Sequence, residues 1–129
     1  LTQKQLRAAV KRWGPYWRDR LGLRDWKVDV AYMGLKEADG SLAHVVPNFP
    51  DRSALVNVLG AETADQRAAW KGEDLECVLV HELLHVHLMS LGVSGGDYRK
   101  AAGVNKTVLA EQVINAIARC LVDRRRGRV

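Results

Sequence analysis

Leu6, Val10, Trp13 and Trp17 recur at helical spacing with charged residues between them, so the chain opens on an amphipathic helix that Gly14-Pro15 should kink or restart. The period then shortens to two. Trp26, Val28, Val30 and Tyr32 alternate with Lys27, Asp29, Ala31 and Met33, the pattern of a strand with one buried face. Asp39-Gly40 is a turn signal, and the run from Leu42 to Val46 beyond it reads as a strand returning antiparallel to the first. Pro47-Asn48-Phe49-Pro50-Asp51-Arg52 breaks the chain before a third short strand, Ala54 to Leu59. From Glu62 the helical period returns: a short helix around Thr63 to Trp70, a break at Lys71-Gly72, and a long apolar helix from Asp74 to Ser90 closed by Gly92, Gly95 and Gly96. A polar loop, Ser94 to Gly103, leads to a last helix from Asn105 to Asp123, whose apolar stripe reads Val108, Val113, Ile117 and Leu121. The order of elements predicts an α+β fold: an N-terminal helix, a small three-stranded sheet, then helices.

With 129 residues, nearly half of them apolar, the chain can bury one core and is too short for two ordinary domains. A single domain over 1–129 is expected, with a flexible basic tail at 124–129. No apolar run reaches transmembrane length, and the segment from Leu1 to Arg7 lacks the apolar core of a secretion signal, which predicts a cytoplasmic monomer. Cys77 and Cys120 are too few and too far apart for a disulfide framework and read as reduced core residues. The formal charge of +5 is concentrated in Lys4, Arg7, Lys11, Arg12, Arg18 and Arg20 and in the tail Arg124-Arg125-Arg126-Gly127-Arg128. Such a balance permits a nucleic-acid or acidic-protein partner. A solvated helix face plus a frayed terminus accounts for it equally well, since no aromatic residue is interleaved with the tail arginines.

Candidate chemistry lies in the long apolar helix, at His81-Glu82-Leu83-Leu84-His85. At ~100° per residue the two histidines fall ~40° apart on one face, so both imidazoles can reach one ion. Glu82 lies ~60° from His85, at the edge of that face, where it can address a water as general base without being a ligand. Burying two histidines and a glutamate without partners in so apolar a run would be costly, which favours a zinc site. Catalytic zinc takes three protein ligands, and Glu111 at the start of the last helix is the strongest candidate for the third. Asn115, one turn later, could accept a hydrogen bond from the free ring nitrogen of one histidine. Cys77, one turn before His81, is a weaker ligand candidate. His87 is ~200° from His85 and faces away, as a packed or surface histidine. His44, Asp97 and Tyr98 are candidates for the rim, and either Tyr98 or His44 could donate to an oxyanion.

His81-Glu82-Leu83-Leu84-His85, followed by Glu111 on a separate helix, resembles the gluzincin clan of zinc metallopeptidases. The small size, the preceding strands and the single glutamate helix look most like its compact members, the minigluzincins and related phage or bacterial metallopeptidases. The resemblance covers roughly residues 24–122, with its specific motifs confined to two short segments. It implies a zincin-like fold, a zinc ion held by His81, His85 and Glu111, and peptide-bond hydrolysis with Glu82 as general base in a bacterial or phage-infected cytosol. An extended peptide would pair with the exposed edge of the small sheet, for which Asn57 is a candidate. Larger gluzincins often carry an aspartate four residues after the ligand glutamate; this chain has Asn115, a neutral partner that stabilises a histidine-bound metal less. Two other readings remain open: a protease of DNA-associated or repressor proteins, similar to the ImmA/IrrE or SprT-like groups, and a zinc-containing module that binds a partner without catalysis.

Overall fold

The computed structural model describes residues 1–90 and 106–128, with side chains described for 1–90 and 110–128. Gly92, Gly95, Gly96, the loop from Ser94 to Gly103 with Asp97 and Tyr98, and the side chain of Val108 lie outside the described residues. The elements run α1 (Gln3–Arg20), β1 (Lys27–Met33), α2 (Leu35–Ala38), β2 (Ala43–Asn48), β3 (Ser53–Leu59), α3 (Ala64–Trp70), α4 (Leu75–Ser90) and α5 (Lys106–Arg125), an α+β architecture. No helix among the described residues is long and apolar enough to cross a membrane.

Thr2 starts α1 with a reciprocal cap: its side chain accepts from the Gln5 N–H and the Gln5 side chain accepts from the Thr2 N–H. The helix continues through Gly14-Pro15 without the expected restart, because Leu6, Val10 and Trp17, on both sides of the proline, are buried on one core. Thr63 caps α3 in the same reciprocal way, and Trp70 at its end donates Nε1–H to the Leu59 carbonyl at 3.0 Å, fastening α3 to β3.

The sheet order is β1-β3-β2, with β1 parallel and β2 antiparallel to β3. The expected hairpin between the first two strands is therefore absent. Asp39 and Gly40 have φ of 47° and 83°, and the Asp39 N–H donates to the Leu35 carbonyl, so this pair ends the short helix α2 instead of joining two strands. The hairpin is β2–β3, closed over residues 49–52, where the Asn48 side chain accepts from the Asp51 N–H and Phe49 meets Trp26 edge to face. Ala54, Val56 and Val58 of the central strand point into the core. Asn57 pairs with Ala31 on one side and His44 on the other, so it cannot offer an edge to a peptide. Among the described residues the open edges belong to β1 and β2.

Helix α4 is apolar on all sides and packs against α1, α5 and β2, burying Leu79, Val80, Leu83 and Val86. Helix α5 buries Ile114, Ala118 and Val122, while Val113 and Ile117 are 55% and 44% exposed. The expected stripe is thus rotated. Ile114, Asn115, Ala118 and Val122 all lie within ~60° of Glu111 around the helix, whereas Val113 and Ile117 lie ~120–160° away, so a helix that turns Glu111 toward α4 must turn the second pair outward. Cys120, on that outward side, is exposed and Cys77 only half-buried, so neither is the core residue expected.

The basic tail is not free of the fold. Arg125 and Arg126 reach back to Asp74 and Glu76 at the start of α4, and Arg128 pairs with Asp123 at 2.8 Å. Asp74 caps α4 by accepting from the Cys77 N–H at 3.2 Å and takes two hydrogen bonds from Arg126 at 2.7 and 3.0 Å. Glu76, 3% exposed, takes hydrogen bonds from both arginines and from Trp17 Nε1 at 2.9 Å. A buried carboxylate would be strongly unfavourable alone; here every oxygen has a donor, and one cluster ties α1, α4 and α5 together.

Candidate metal centre

Three side chains from two helices converge on one point. His81 and His85 project from the middle of α4, and Glu111 reaches them from the second turn of α5. One ligand atom from each of His81, His85 and Glu111 lies within 4.8 Å of the others, the one such group found among the described residues. Glu111 Oε2 is 2.9 Å from His81 Nε2, Oε1 is 2.9 Å from His85 Nε2, and the two Nε2 atoms are 3.1 Å apart. Asn115, one turn after Glu111, places Oδ1 2.7 Å from His81 Nδ1.

Hydrogen positions decide what this arrangement can hold. An amide oxygen facing His81 Nδ1 requires Nδ1 to carry the hydrogen, which leaves Nε2 of the neutral ring as a lone pair. That lone pair faces a carboxylate oxygen and a second imidazole. Two acceptors at such a distance repel unless a proton or a cation lies between them. Neighbouring ligands of one tetrahedral ion bound at ~2.0–2.1 Å are about 3.3 Å apart, only a few tenths of an ångström wider than the spacings here. The residues present therefore fit a small divalent cation. His85 Nδ1 is buried without a partner among the described residues, and burial, opposed by Glu111 and reinforced by His81, lowers the pKa of that ring.

Glu82 stands beside this group and outside it. Its Oε1 lies 3.9 Å from His81 Nε2, and its side chain is 8% exposed. Burial, and secondly the Glu111 charge, push its carboxyl up to about 8 in the metal-free protein. The group opens on a cleft of about 710 Å³ walled by α4, α5 and residues 41–45 at the start of β2. Strand β2 is an edge, so among the described residues the side of it away from β3 has no strand partner. His44 lines the cleft from that strand, though its side chain is exposed and alternates with the buried Ala43 and Val45. Tyr98 and Asp97 cannot be placed against the cleft, being outside the described residues.

Cys77 also lines the cleft but is not one of the converging ligands. Burial and the neighbouring Asp74 charge push its thiol up to about 11, so it stays protonated at neutral pH. His87 is exposed and bonds through Nε2 to the Leu21 carbonyl at the end of α1, away from the cluster. Two features have no counterpart in the sequence reading. Arg119, on the α5 wall of the cleft, stands 3.5 Å from Asp74; its place eight residues after Glu111, about two helical turns, is the signal that could have found it. The second is the pairing of Asp74 and Glu76 with Arg125 and Arg126, hinted at by opposite charges at the first turn of one helix and the last turn of another. Compared with models of protein families, with curated proteins and with solved structures, the chain matches none.

Proposed function

We propose that this chain is a zinc-dependent peptidase of the gluzincin type, with His81, His85 and Glu111 as ligands and Glu82 as general base. The observation that carries the reading is the separation of roles among four adjacent groups: three converge at hydrogen-bonding distance on one point, and the fourth is buried next to it without joining them. A site built only to brace the fold has no use for a carboxylate in that position. A zinc ion there would supply Lewis-acid polarisation of a carbonyl and make a water acidic near neutral pH. Glu82 would take a proton from the attacking water and return it to the leaving amine. Asn115 would hold the His81 ring in the tautomer that keeps Nε2 free. An extended peptide would lie along the open edge of β2, beside the cleft, in place of the central strand and Asn57.

The test is cleavage of a peptide library, read by mass spectrometry, by the wild type and by Glu82→Gln. The expected result is cleavage by the wild type and a loss of about 10²-fold or more in the variant, with metal content and fold unchanged. Equal rates for the two proteins would overturn the assignment of Glu82. Tight metal binding combined with partner binding and no cleavage would favour the non-catalytic module.

A further inference from the structure

The structure separates the two basic regions of the chain. Arg125 and Arg126 are spent on Asp74 and Glu76, whereas five of the six cations of α1, all but Arg18, are exposed. Helix α1 holds six of the 20 lysines and arginines and one of the 15 acidic residues, a net +5 that equals the charge of the whole chain; the remainder, 14 of each sign, is balanced. Lys4, Arg7, Lys11 and Arg18 fall within ~60° of one another around the helix and span ~21 Å along it. Lys4, Arg7 and Lys11 are exposed, and among the described residues none of the three is in a salt bridge; Arg18 is shared with Asp19 at 3.0 Å. The residues bordering the stripe, Ala8, Gly14 and Pro15, are small or compact and leave it in low relief. Arg7 is held flat on the Tyr32 ring, 4.5 Å from its centroid, which orders its guanidinium before any ligand arrives.

We propose that this face of α1 binds the phosphate backbone of duplex nucleic acid without reading its bases. A row of cations along one face of a continuous helix, three of them in no salt bridge among the described residues, can meet a regular row of phosphates, the contact that gives sequence-independent affinity. Single strands are disfavoured, because they are held largely by stacking on open aromatic rings, and Trp17 is buried while Arg12 or Arg125 covers Trp13 and Arg20 covers Tyr16. A membrane surface is disfavoured as well, since Leu1 is the one large apolar residue of residues 1–20 that is exposed. The proposal is independent of the metal chemistry and can fail or hold without it.

Fluorescence anisotropy with a labelled mixed-sequence DNA duplex of about 20 base pairs, titrated with the whole chain at several salt concentrations, tests it. Three to four neutralised phosphates predict a slope of log K against log salt of about −3, a loss of roughly 60-fold between 50 and 200 mM salt. Lys4→Gln/Arg7→Gln/Lys11→Gln should bring the slope to about −1 or shallower, and Arg124→Gln should leave it unchanged. A wild-type slope shallower than −1 would overturn the proposal without reference to any variant. So would equal or tighter binding to the single strand, to poly-glutamate in competition, or to anionic vesicles, or a triple variant that folds and binds like the wild type.

Discussion

Helices α4 and α5 are joined at two polar clusters, and the two are built on opposite principles. At one end Asp74 and Glu76 meet Arg125 and Arg126, two charges of each sign, and all four carboxylate oxygens receive N–H donors. At the other, Glu111 meets the His81 Nε2 lone pair and a second imidazole, so acceptors crowd one point. The first cluster is complete in itself and can act as a fastener. The second could hold a cation, and it has a further carboxylate, Glu82, buried beside it, whereas the first only reaches the cleft through Asp74. Burial of polar groups does not mark a functional site; an imbalance between donors and acceptors does.

If that distinction holds, damage at each end should have separate signatures. Arg125→Ala/Arg126→Ala leaves the Glu76 carboxylate buried with Trp17 as its remaining donor, and should lower unfolding stability by roughly 3–5 kcal/mol in urea titrations of the metal-free protein. Zinc per folded chain should stay unchanged. A double variant as stable as the wild type would show that the arginine contacts contribute nothing to the joint.

At the other end the effect moves from stability to affinity. Asn115→Ala removes the acceptor that fixes the His81 tautomer and should weaken zinc binding by about 10–100-fold, read by competition with a chelating dye, with little change in the metal-free melt. An unchanged affinity would mean that the ring is oriented by other contacts.

A smaller effect distinguishes the fastener by pH. For Asp74, burial works to raise the pKa but is outweighed by the Arg126 and Cys77 hydrogen bonds and the Arg126 and Arg119 charges; for Glu76, burial is likewise outweighed by Arg125, Trp17 and Arg126. Both end below the ordinary carboxylate range. A depressed folded-state pKa means that the stabilisation is fully present above the unfolded value and is lost as pH falls through that range toward the folded pKa. Melts of the metal-free protein from pH 7 down to 3 should therefore steepen in their loss of stability below about pH 5, and Arg125→Ala/Arg126→Ala should flatten that part of the curve. Identical pH dependence in both proteins would contradict the linkage.

The same contrast explains what could be read from the chain. His81, Glu82 and His85 are local, within one and a half helical turns, and periodicity places them without knowledge of the rest. Glu111 could be singled out by its chemistry, an acid in an apolar helix. Its helix was harder to orient, because Val113, Ile117 and Leu121 form a stripe as apolar as Ile114, Ala118 and Val122, and only the direction of Glu111 chooses between them. Strand order was misread at Asp39-Gly40, whose left-handed geometry serves a helix end as well as a hairpin. The tail looked frayed because the partners of Arg125 and Arg126 lie about fifty residues away, beyond the reach of any local pattern.

The central claim is that the His81–His85–Glu111 cluster requires a cation and the Asp74–Glu76 cluster does not. Elemental analysis after zinc loading and desalting tests it most directly, run on the wild type, Glu111→Ala, Glu82→Gln and Arg125→Ala/Arg126→Ala. The account predicts about one zinc per chain in the wild type, in Glu82→Gln and in the folded fraction of the arginine variant, and none in Glu111→Ala. Zinc retained by Glu111→Ala at the wild-type level, or absent from the wild type, would contradict it.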